Sequence, residues 1–357
     1  MNVLLYRRSL DLRSGAGQLL RMQWGGLEAA GVPAVIACER GGFKFWLRTG
    51  IRARRYGPAA IQRLQSRGWL IVDHDLVVPS AELVFVHNVA IAAGHYLPQG
   101  DLAASAEREQ AFFAQLDPGA VVVANSKLVQ QSLVAHFGLP IDRVAVLYPG
   151  FDAERFTLRG AATLRRAARA ELGVSERTQL VGFVTSGDFL KRGLDLFLDS
   201  AARIAAVRPD VQFLVVGSKR LPAAAAEHPL VRSGRVHYRP KSRHPEPWFA
   251  ALDLFLYPAR FEEFGMVVAE AAAMGVPVLT SRRVGASECL PSAYTPWLLE
   301  QPDPQRFAAL ALTMLMDADL RAELAAAAAA SVVAFDARAY VNGTLALVSA
   351  AQKRRLR

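Results

Sequence analysis

The sequence predicts an α/β protein of two units, each built around a parallel β-sheet. Short apolar runs alternate with longer segments of helical period, as a parallel sheet covered on both faces requires. The alternation stops in a polar, arginine-rich interval at 157–179 and then starts again. A chain of 357 residues with 52% hydrophobic content is long enough for two cores, since one domain usually holds roughly 100–200 residues.

In the first half of the chain, the apolar runs have the length and near-continuous hydrophobicity of buried parallel strands. The predicted strands are NVLLY (2–6), PAVIAC (33–38), ELVFVHN (82–88), AVVVANS (120–126) and VAVLYPG (144–150). The predicted helices lie at 16–30, 103–116 and 127–137.

The second half repeats this pattern. Its predicted strands are QLVGFVTS (179–186), VQFLVVGS (211–218), RVHYRP (235–240), LDLFLYPA (252–259) and VPVLTS (276–281). Its predicted helices lie at 192–206, 245–251, 266–274 and 321–335, the last rich in alanine, the best helix former. We therefore expect domains at 1–157 and 158–336, with a linker within 151–178 and a C-terminal helix at 337–357 that completes the first domain.

The charge is unevenly distributed. Lys and Arg number 42 against 32 Asp and Glu, a net charge of +10. Residues 1–70 contain only three acids, whereas their cations are Arg7, Arg8, Arg13, Arg21, Arg40, Lys44, Arg48, Arg52, Arg54, Arg55, Arg63 and Arg67. This excess predicts an anionic partner, which could be nucleic acid, a membrane surface or a phosphorylated substrate.

The cysteines and the apolar runs narrow the class of protein. Cys38 and Cys289 are far apart, and no Cys/His cluster has metal-ligand spacing. We therefore expect no disulfide framework and no metal site. No signal-peptide region and no apolar stretch of the ~18 residues that a spanning helix needs is present. These patterns predict a cytoplasmic protein, soluble or peripheral on a membrane.

Two glycines follow the first predicted strand. Gly15 and Gly17 form G-x-G, but Leu20 occupies the third glycine position of the dinucleotide fingerprint, which argues against a Rossmann cofactor site. The glycines could let the backbone approach an anionic ligand at the start of a helix. Alternatively, they only form a tight turn.

Two glutamates eight positions apart stand out in the second half. Glu262 is predicted on a loop, and Glu270 about one turn into the helix that begins after Gly265. Carboxylate oxygens at such a place can accept hydrogen bonds from a vicinal diol, as in a sugar. Glu270 is embedded in the apolar run MVVAEAAAMGVPV, where an unpaired charge is costly, so it needs a partner.

The stretch LFLYPARFEEFGMVVAEAAAMGVPVLTS (254–281) resembles the signature of retaining glycosyltransferases of family 4, which have the two-domain GT-B architecture and an E-x7-E motif. The segments at 120–156 and 182–201 resemble the end of that family's first domain and the start of its donor-binding domain. The resemblance covers roughly residues 80–290. Through SGDFLKRGLD (186–195) and EREQAFF (107–113), it is greatest to lipopolysaccharide-core glucosyltransferases.

The resemblance implies roles for the residues of this stretch. Glu262 would lie beside the donor sugar hydroxyls, and Glu270 would hold the ribose diol. Sugar or diphosphate oxygens would meet the backbone N–H groups at the start of the helix, which are those of Phe264, Gly265 and Met266.

Lys191 or Arg192 would neutralise the negative charge of the leaving diphosphate. Many family members have a second cation, an arginine, earlier in this segment, but this sequence has Gly187-Asp188 at that place. The nucleotide base would bind near Tyr238 and Arg239 through backbone groups.

In the first domain, which the family uses to bind the acceptor, the segment VFVHNVAIAAGHYL (84–97) ends a predicted strand with polar groups. His95 is a candidate catalytic residue, and His87 and Asn88 are candidates for orienting the acceptor hydroxyl, because a histidine of suitable pKa can assist a reacting hydroxyl. A structural role for each histidine is the alternative.

The segment 40–72 combines eight cations with interleaved apolar side chains and has no acid. Arg48, Arg52 and Arg55 are predicted on one helical face, an arrangement typical of an amphipathic element at an anionic membrane. The candidate membrane contacts are Lys44, Trp46, Arg48, Arg52 and Arg55. A solvated basic face or a nucleic-acid patch are the alternatives, but no nucleic-acid reader motif is recognisable.

Together, the residues and the resemblance imply a metal-independent retaining glycosyltransferase with its active site in the cleft between two domains. It would need no cofactor besides its co-substrate, a nucleotide diphosphate sugar, with a UDP-sugar favoured and GDP-mannose possible. The acceptor would be a membrane-associated glycan or lipid such as lipopolysaccharide core. The alternatives are a non-catalytic protein that binds nucleotide sugars or glycans and a basic nucleic-acid-binding protein.

Overall fold

A computed structural model describes residues 1–10, 15–40, 42–97 and 102–355, except for the side chains of Lys44 and Arg48. It divides into two compact units. Unit 1 comprises Met1–Gly150 and Ala337–Arg357, and unit 2 comprises Phe151–Asp336.

The elements alternate between strand and helix along most of the chain. The strands are β1 (Val3–Ser9), β2 (Ala34–Arg40), β3 (Ala53–Arg54), β4 (Leu70–Asp73), β5 (Leu83–Val86), β6 (Val121–Ala124), β7 (Val144–Val146), β8 (Leu180–Val184), β9 (Gln212–Gly217), β10 (Val236–Pro240), β11 (Leu254–Tyr257), β12 (Val278–Ser281) and β13 (Leu298–Leu299). The α-helices are α1 (Gly15–Ala29), α2 (Gly42–Thr49), α3 (Pro58–Ser66), α4 (Ala90–Gly94), α5 (Ala103–Ala114), α6 (Lys127–Phe137), α7 (Ala161–Leu172), α8 (Leu194–Val207), α9 (Ala223–Ala226), α10 (Pro229–Arg232), α11 (Glu246–Ala250), α12 (Met266–Ala273), α13 (Pro304–Met316), α14 (Ala318–Val332) and α15 (Ala337–Arg355).

Unit 1 contains a parallel sheet in the order β3-β2-β1-β4-β5-β6-β7. Its central strands are buried on both faces, which explains their continuous Val, Leu and Ile content. The C-terminal helix α15 packs on α1, where the Gln23 amide donates to the Tyr340 hydroxyl at 2.8 Å and Tyr340 belongs to the core. The last helix is therefore part of the first unit.

Unit 2 contains a second parallel sheet in the order β10-β9-β8-β11-β12-β13. Both sheets are doubly wound, because the chain runs outward in one direction from β1 or β8 and then returns to the other side of that strand. The reversal lies between β1 and β4 in unit 1 and between β8 and β11 in unit 2. In such sheets, ligands bind outside the carboxyl ends of the strands at this switch point.

The ten strands predicted from apolar runs are confirmed, as is the α/β fold class. The sequence reading missed β3, β4 and β13. The strand β4, Leu70–Asp73, is a short apolar run. It comes directly after the last arginines of the basic segment 40–72, so we interpreted most of it as part of that segment. The strands β3 and β13 contain two residues each, too few for a periodic pattern.

The structure adds detail to one expectation about polar segments and corrects another. Within the segment 151–178, where we expected a linker, the helix α7 forms, and its Arg169 is buried and donates hydrogen bonds to carbonyl oxygens. The predicted helical face of Arg48, Arg52 and Arg55 is wrong. The helix α2 ends at Thr49, and the chain then pairs with β2 as strand β3, which places Arg52 and Arg55 outside any helix.

Among the described residues, no helix combines the length and the apolar character that are needed to cross a lipid bilayer.

Candidate active site

The predicted donor residues gather at the switch point of unit 2. The strands β8 and β11 pair in register, Leu254 opposite Val181. The loop after β8 carries Lys191 and Arg192, and the loop after β11 carries Glu262. Because the carboxyl ends of parallel strands lie at one edge of the sheet, these side chains meet although about 70 residues separate them, as the Arg192–Glu262 bond shows.

The two loops are fastened together by their backbones. The Arg260 N–H donates to the Lys191 carbonyl at 3.0 Å, and the Arg260 guanidinium binds Asp195 at 2.8 and 2.5 Å. Gly193 has a φ of +73°, and a Cβ there would lie 2.2 Å from the Pro258 carbonyl oxygen. Only glycine permits this approach, so the crossing of the two loops is fixed by the sequence.

Arg192 and Glu262 form a buried ion pair. Arg192 Nε lies 2.6 Å from Glu262 Oε2, and Nη2 donates to Oε1 at 3.1 Å. The Tyr257 hydroxyl donates to the same carboxylate at 3.2 Å. The Glu262 backbone is also fixed, because its N–H donates to the Arg283 carbonyl and its carbonyl accepts from Gly285. This carboxylate is thus held in one orientation.

A second ion pair lies beside the first. Lys191 Nζ donates to both carboxylate oxygens of Glu263, at 2.8 and 2.7 Å, and lies over the ring of Phe261. Sequence reasoning missed Glu263. The signal available was a second acid, adjacent to Glu262, in a segment flanked by aromatic residues.

Burial and charge compete within this group. Burial raises the pKa of the Glu262 carboxyl, and Arg192 acts in the opposite direction. Burial lowers the pKa of the Arg192 guanidinium, but Glu262, Tyr257 and Glu263 outweigh it, so that the pKa is raised and Arg192 stays protonated. Burial and the Glu262 charge raise the pKa of the Tyr257 hydroxyl, which remains a donor.

The helix α12 begins directly after these carboxylates. Gly265 precedes it with a φ of +88°, and a Cβ there would lie 3.0 Å from both the Glu262 side chain and Val284. Phe264 is buried, and Met266 is the first helical residue. The first N–H groups of a helix have no partner within it, so this end can receive an anion.

Glu270 lies in the second turn of α12, and its surroundings differ from those of Glu262. It is half-buried, and no described residue makes a hydrogen bond to its carboxylate. Burial raises its pKa to about 7; Arg155 lowers it, while Glu246 and Asp152 raise it further. The partner that we expected for Glu270 is thus Arg155, which acts on it through its charge and not through a hydrogen bond.

Glu246 and Arg155 were not singled out from the sequence. Arg155 Nε donates to Glu246 Oε1 at 2.5 Å, whereas the other oxygen, Oε2, is buried and has no protein partner among the described residues. The helices α11 and α12, which carry Glu246 and Glu270, contact each other, and the Glu246 charge raises the pKa of Glu270. The two carboxylates therefore lie in one region that has unused acceptor capacity. A ligand with hydroxyl or N–H donors could use this capacity.

The predicted base-binding segment lies at the end of β10. The Tyr238 hydroxyl donates to the Ser218 carbonyl, and the Arg239 guanidinium contacts Glu171 and lies over the ring of Trp248. Arg239 and Trp248 also line a cavity of about 460 Å³. The two predicted side chains are therefore engaged in contacts within unit 2, which leaves the neighbouring backbone for a ligand.

Polar side chains also collect at the switch point of unit 1. The Tyr6 hydroxyl donates to Glu39 at 2.8 Å, and Arg8 lies 3.9 Å from the same carboxylate. Arg7 lies 3.5 Å from Asp75. Sequence reasoning did not identify this group: Arg7 and Arg8 were counted only as charges, and Asp75 follows β4, which was not recognised.

The candidate histidines are separated. His87, at the end of β5, lies 3.0 Å from His74 Nδ1, and the rings stack. Burial and Arg7 lower the pKa of His87 to about 3, so it is neutral and not the base of suitable pKa that we expected. Asn88 is exposed. His95 is exposed at the end of α4 and stacks on His136 instead.

The paired histidines predict sensitivity to acid. Burial lowers the pKa of His74 and His87, so the unfolded chain takes up protons that the folded chain does not. The two neutral histidines contribute to the free energy of unfolding at a pH above about 6.5, the pKa of histidine in the unfolded chain. This contribution is lost as the pH falls below that value, by roughly 2–4 kcal/mol in total between pH 7 and pH 5. We expect His74→Gln to remove about half of this loss in thermal unfolding measured at both pH values. His244→Gln, at an exposed site, should leave the loss unchanged; an equal loss in the His74 variant would contradict the assignment.

Gly15 and Gly17 open α1 after β1, and Gly17 is buried. The strand-to-helix position that we expected is confirmed. That Gly15 and Gly17 contact an anionic ligand, the nucleotide-sugar donor, stays a prediction.

The basic segment forms part of the surface of unit 1. On α2, Phe43 and Leu47 are 71% and 62% exposed, Trp46 is 38% exposed, and Phe45 anchors the helix in the core. The side chains of Lys44 and Arg48 lie outside the described part. Of the described arginines in 40–72, none has an acidic partner. They are Arg40, Arg52, Arg54, Arg55, Arg63 and Arg67.

Across the described ranges, no three His, Cys, Asp or Glu side chains form a group that could hold a metal ion.

Comparison with known proteins identifies the family of unit 2. The family described as "Glycosyl transferases group 1" matches residues 178–317. A D-inositol 3-phosphate glycosyltransferase of Xylanimonas cellulosilytica is 29% identical over 302 residues, which are 81% of this chain and 70% of the relative. One of Mycobacterium sp. (strain KMS) is 32% identical over 226 residues, 60% of this chain and 48% of the relative. The chain thus spans about half to 70% of these relatives.

Solved structures show the same fold over nearly the whole chain. WaaG, a glycosyltransferase involved in lipopolysaccharide biosynthesis, has a TM-score of 0.78 at 19% identity and covers 96% of this chain and 98% of its own. HepE of Anabaena, in complex with UDP-glucose, has a TM-score of 0.78 at 20% identity and covers 98% of this chain and all of its own. These structural matches confirm the GT-B fold that the sequence resemblance implied, and the family match of unit 2 confirms the enzyme class, a glycosyltransferase. Unit 2 therefore carries a glycosyltransferase domain of the group 1 family, and the chain is a transferase of the GT-B fold.

Proposed function

We propose that this protein transfers a hexose from a nucleotide diphosphate sugar to a glycan or lipid acceptor at a membrane, with retention of configuration and without a metal ion. The observation that carries the proposal is the orientation of Glu262 by Arg192 and Tyr257 at the switch point of a group 1 glycosyltransferase domain. A fixed carboxylate beside a cation and a helix start suits a ligand that combines hydroxyl groups with a diphosphate.

The leaving group needs positive charge most. When the bond between the sugar and the diphosphate breaks, negative charge develops on the diphosphate oxygens. Arg192 and the N–H groups at the start of α12 are fixed donors that require little reorganisation at that moment. Together they supply the stabilisation for which a metal ion would otherwise be needed.

Glu270 would bind the nucleotide through its ribose. Its carboxylate has no hydrogen-bond partner among the described residues and lies in the helix whose start receives the diphosphate. A carboxylate can accept from both hydroxyls of a diol. UDP-glucose is bound in the crystal structure of HepE, which has the same fold, and this favours a UDP-sugar as donor.

Isothermal titration calorimetry with UDP, GDP and ADP tests the binding part of the proposal. We expect the wild-type chain to bind one of them, and Glu270→Gln to weaken binding by roughly tenfold, because a neutral amide accepts fewer and weaker hydrogen bonds from the diol. Glu300→Gln, at an exposed ion pair of the same unit, should bind like the wild type. If none of the three nucleotides binds, the donor site is refuted.

The acceptor would meet unit 1. Its basic segment 40–72 combines arginines that have no acidic partner among the described residues with the exposed apolar side chains of α2. Each cation near an anionic leaflet contributes about 1 kcal/mol to binding, and exposed aromatic side chains enter the headgroup region. A membrane-bound acceptor would thus be reached by an enzyme that docks on the anionic surface.

Sedimentation with vesicles tests this docking. We expect binding to phosphatidylglycerol vesicles and none to phosphatidylcholine vesicles. Phe43→Ser with Leu47→Ser, and separately Arg52→Ser with Arg55→Ser, should each reduce binding severalfold, because they remove the apolar and the electrostatic contribution in turn.

Matched control variants come from unit 2. Met316→Ser removes an exposed apolar side chain, and Arg203→Ser removes an exposed cation, and neither residue belongs to the basic segment 40–72. Neither should alter sedimentation. Equal binding to both vesicle types, or binding to neither, would contradict membrane docking.

A further inference from the structure

We propose that Glu263 is a positioning residue that neutralises Lys191 and thereby limits the positive charge offered to the diphosphate. The inference rests on the proposed function, since it concerns how that reaction's leaving group is held and released. It assigns different tasks to two neighbouring cations: Arg192, which Glu262 orients, stabilises the leaving diphosphate, while Glu263 neutralises Lys191.

The geometry of the pair shows that it is a fixed arrangement. Lys191 Nζ contacts both oxygens of Glu263, at 2.8 and 2.7 Å. The side chain of Glu263 is only 3% exposed and that of Lys191 14% exposed. Water therefore screens the two charges little, unlike a surface ion pair, and removal of one partner leaves the other charge uncompensated.

The neighbouring charges form one electrostatic group. Glu263 acts on Arg192, and Lys191 acts on Glu262, in addition to the two direct pairs. Two cations thus face two carboxylates, and their formal charges sum to zero. From these four side chains, a diphosphate that enters this region receives hydrogen-bond donors but no net positive charge.

Zero net charge has a consequence for turnover. A nucleotide diphosphate is the product that must leave after each reaction, and an additional uncompensated cation would hold it more tightly. In retaining glycosyl transfer without a metal ion, all of the cationic charge comes from the protein and stays behind at release. Glu263 would therefore favour product release at the expense of affinity.

Charge variants in a double-mutant cycle test the inference. We measure the Kd of the nucleoside diphosphate that the wild type binds, together with kcat. Glu263→Gln leaves Lys191 uncompensated and should tighten Kd by roughly tenfold and lower kcat, because product release becomes slower. Lys191→Met leaves Glu263 uncompensated and should weaken Kd by a similar factor. The double variant Lys191→Met/Glu263→Gln should return Kd close to the wild-type value.

Three results distinguish the possible failures. If the wild-type chain binds no nucleoside diphosphate, the proposed function fails. If the wild type binds and Glu263→Gln binds equally or more weakly, the inference about Glu263 is overturned. If the double variant stays as weak as Lys191→Met, then Lys191 contacts the diphosphate directly and is not masked by Glu263, which also overturns it. The double variant restores charge balance, so it remains informative should one single variant fail to fold.

Discussion

Replacement of Glu262 by Gln is expected to lower kcat by about 100-fold or more, because removal of one preorganised electrostatic contact at a reacting centre typically costs that much. The amide is isosteric and still accepts from Tyr257, but it no longer carries the charge that faces the donor sugar and fixes Arg192. Arg192 then acts on the diphosphate without the opposing charge of Glu262. We therefore expect the Kd for the nucleoside diphosphate to stay unchanged or to decrease while turnover is lost.

The combination of lost turnover with retained binding separates this role from a structural one. A variant that only damaged the fold of unit 2 would lose binding and turnover together. Glu300→Gln serves as the control, since its carboxylate pairs with Arg282 at an exposed site. A kcat within a factor of about three of the wild type would show that the Glu262 charge is dispensable, since this factor corresponds to less than about 1 kcal/mol in the barrier.

Replacement of Arg169 by Met is expected to destabilise unit 2 by about 3–5 kcal/mol, the usual cost of removing one partner from a buried ion pair. Arg169 is 1% exposed, and it donates to Asp253 at 2.6 Å and to the carbonyl groups of Ala251, Ser175 and Thr178. The methionine fills much of the volume but leaves these acceptors without a donor. Asp253 also accepts from Leu180 N–H, so the network reaches the start of β8.

Urea unfolding followed through the transition of unit 2 measures this cost. Arg169→Lys should recover little of it, because an ammonium group cannot reproduce the planar arrangement of guanidinium donors. Arg166→Met provides the matched control on the same helix, since Arg166 is exposed and donates only a long hydrogen bond of 3.3 Å to the Thr163 hydroxyl among the described residues. Its effect should stay within about 0.5 kcal/mol. A loss of less than about 1 kcal/mol in Arg169→Met would contradict the buried network.

The fold was predictable because most of its strands are buried on both faces and therefore appear as continuous apolar runs. The strand β4 shows where this signal fails. It has only four residues and follows a segment whose charges dominate its composition. The helix α7 shows a different limit: it lies in the polar, arginine-rich interval within which a linker was expected, and its Arg165 and Arg169 bind carbonyl groups and Asp253 inside unit 2.

At the site, spacing identified Glu262 and Glu270, and the resemblance implied Lys191 and Arg192. The pairing of these residues could not be predicted, because it depends on the register of β8 against β11 and on the loop crossing at Gly193. Glu263, Glu246 and Arg155 were missed for the same reason. Each acquires its role from a partner at least 70 residues away or from an adjacent element, which a linear pattern does not reveal.

The most direct test of the proposed function is turnover of UDP-, GDP- and ADP-sugars by the full chain in the presence of a chelating agent, followed as release of the nucleoside diphosphate with glycan and glycolipid acceptors present. We predict that the wild type and Glu300→Gln turn over at least one of these donors, and that Glu262→Gln turns over none at a comparable rate. Release of no nucleoside diphosphate from any donor, or release at the wild-type rate by Glu262→Gln, would contradict the proposed glycosyl transfer at this site.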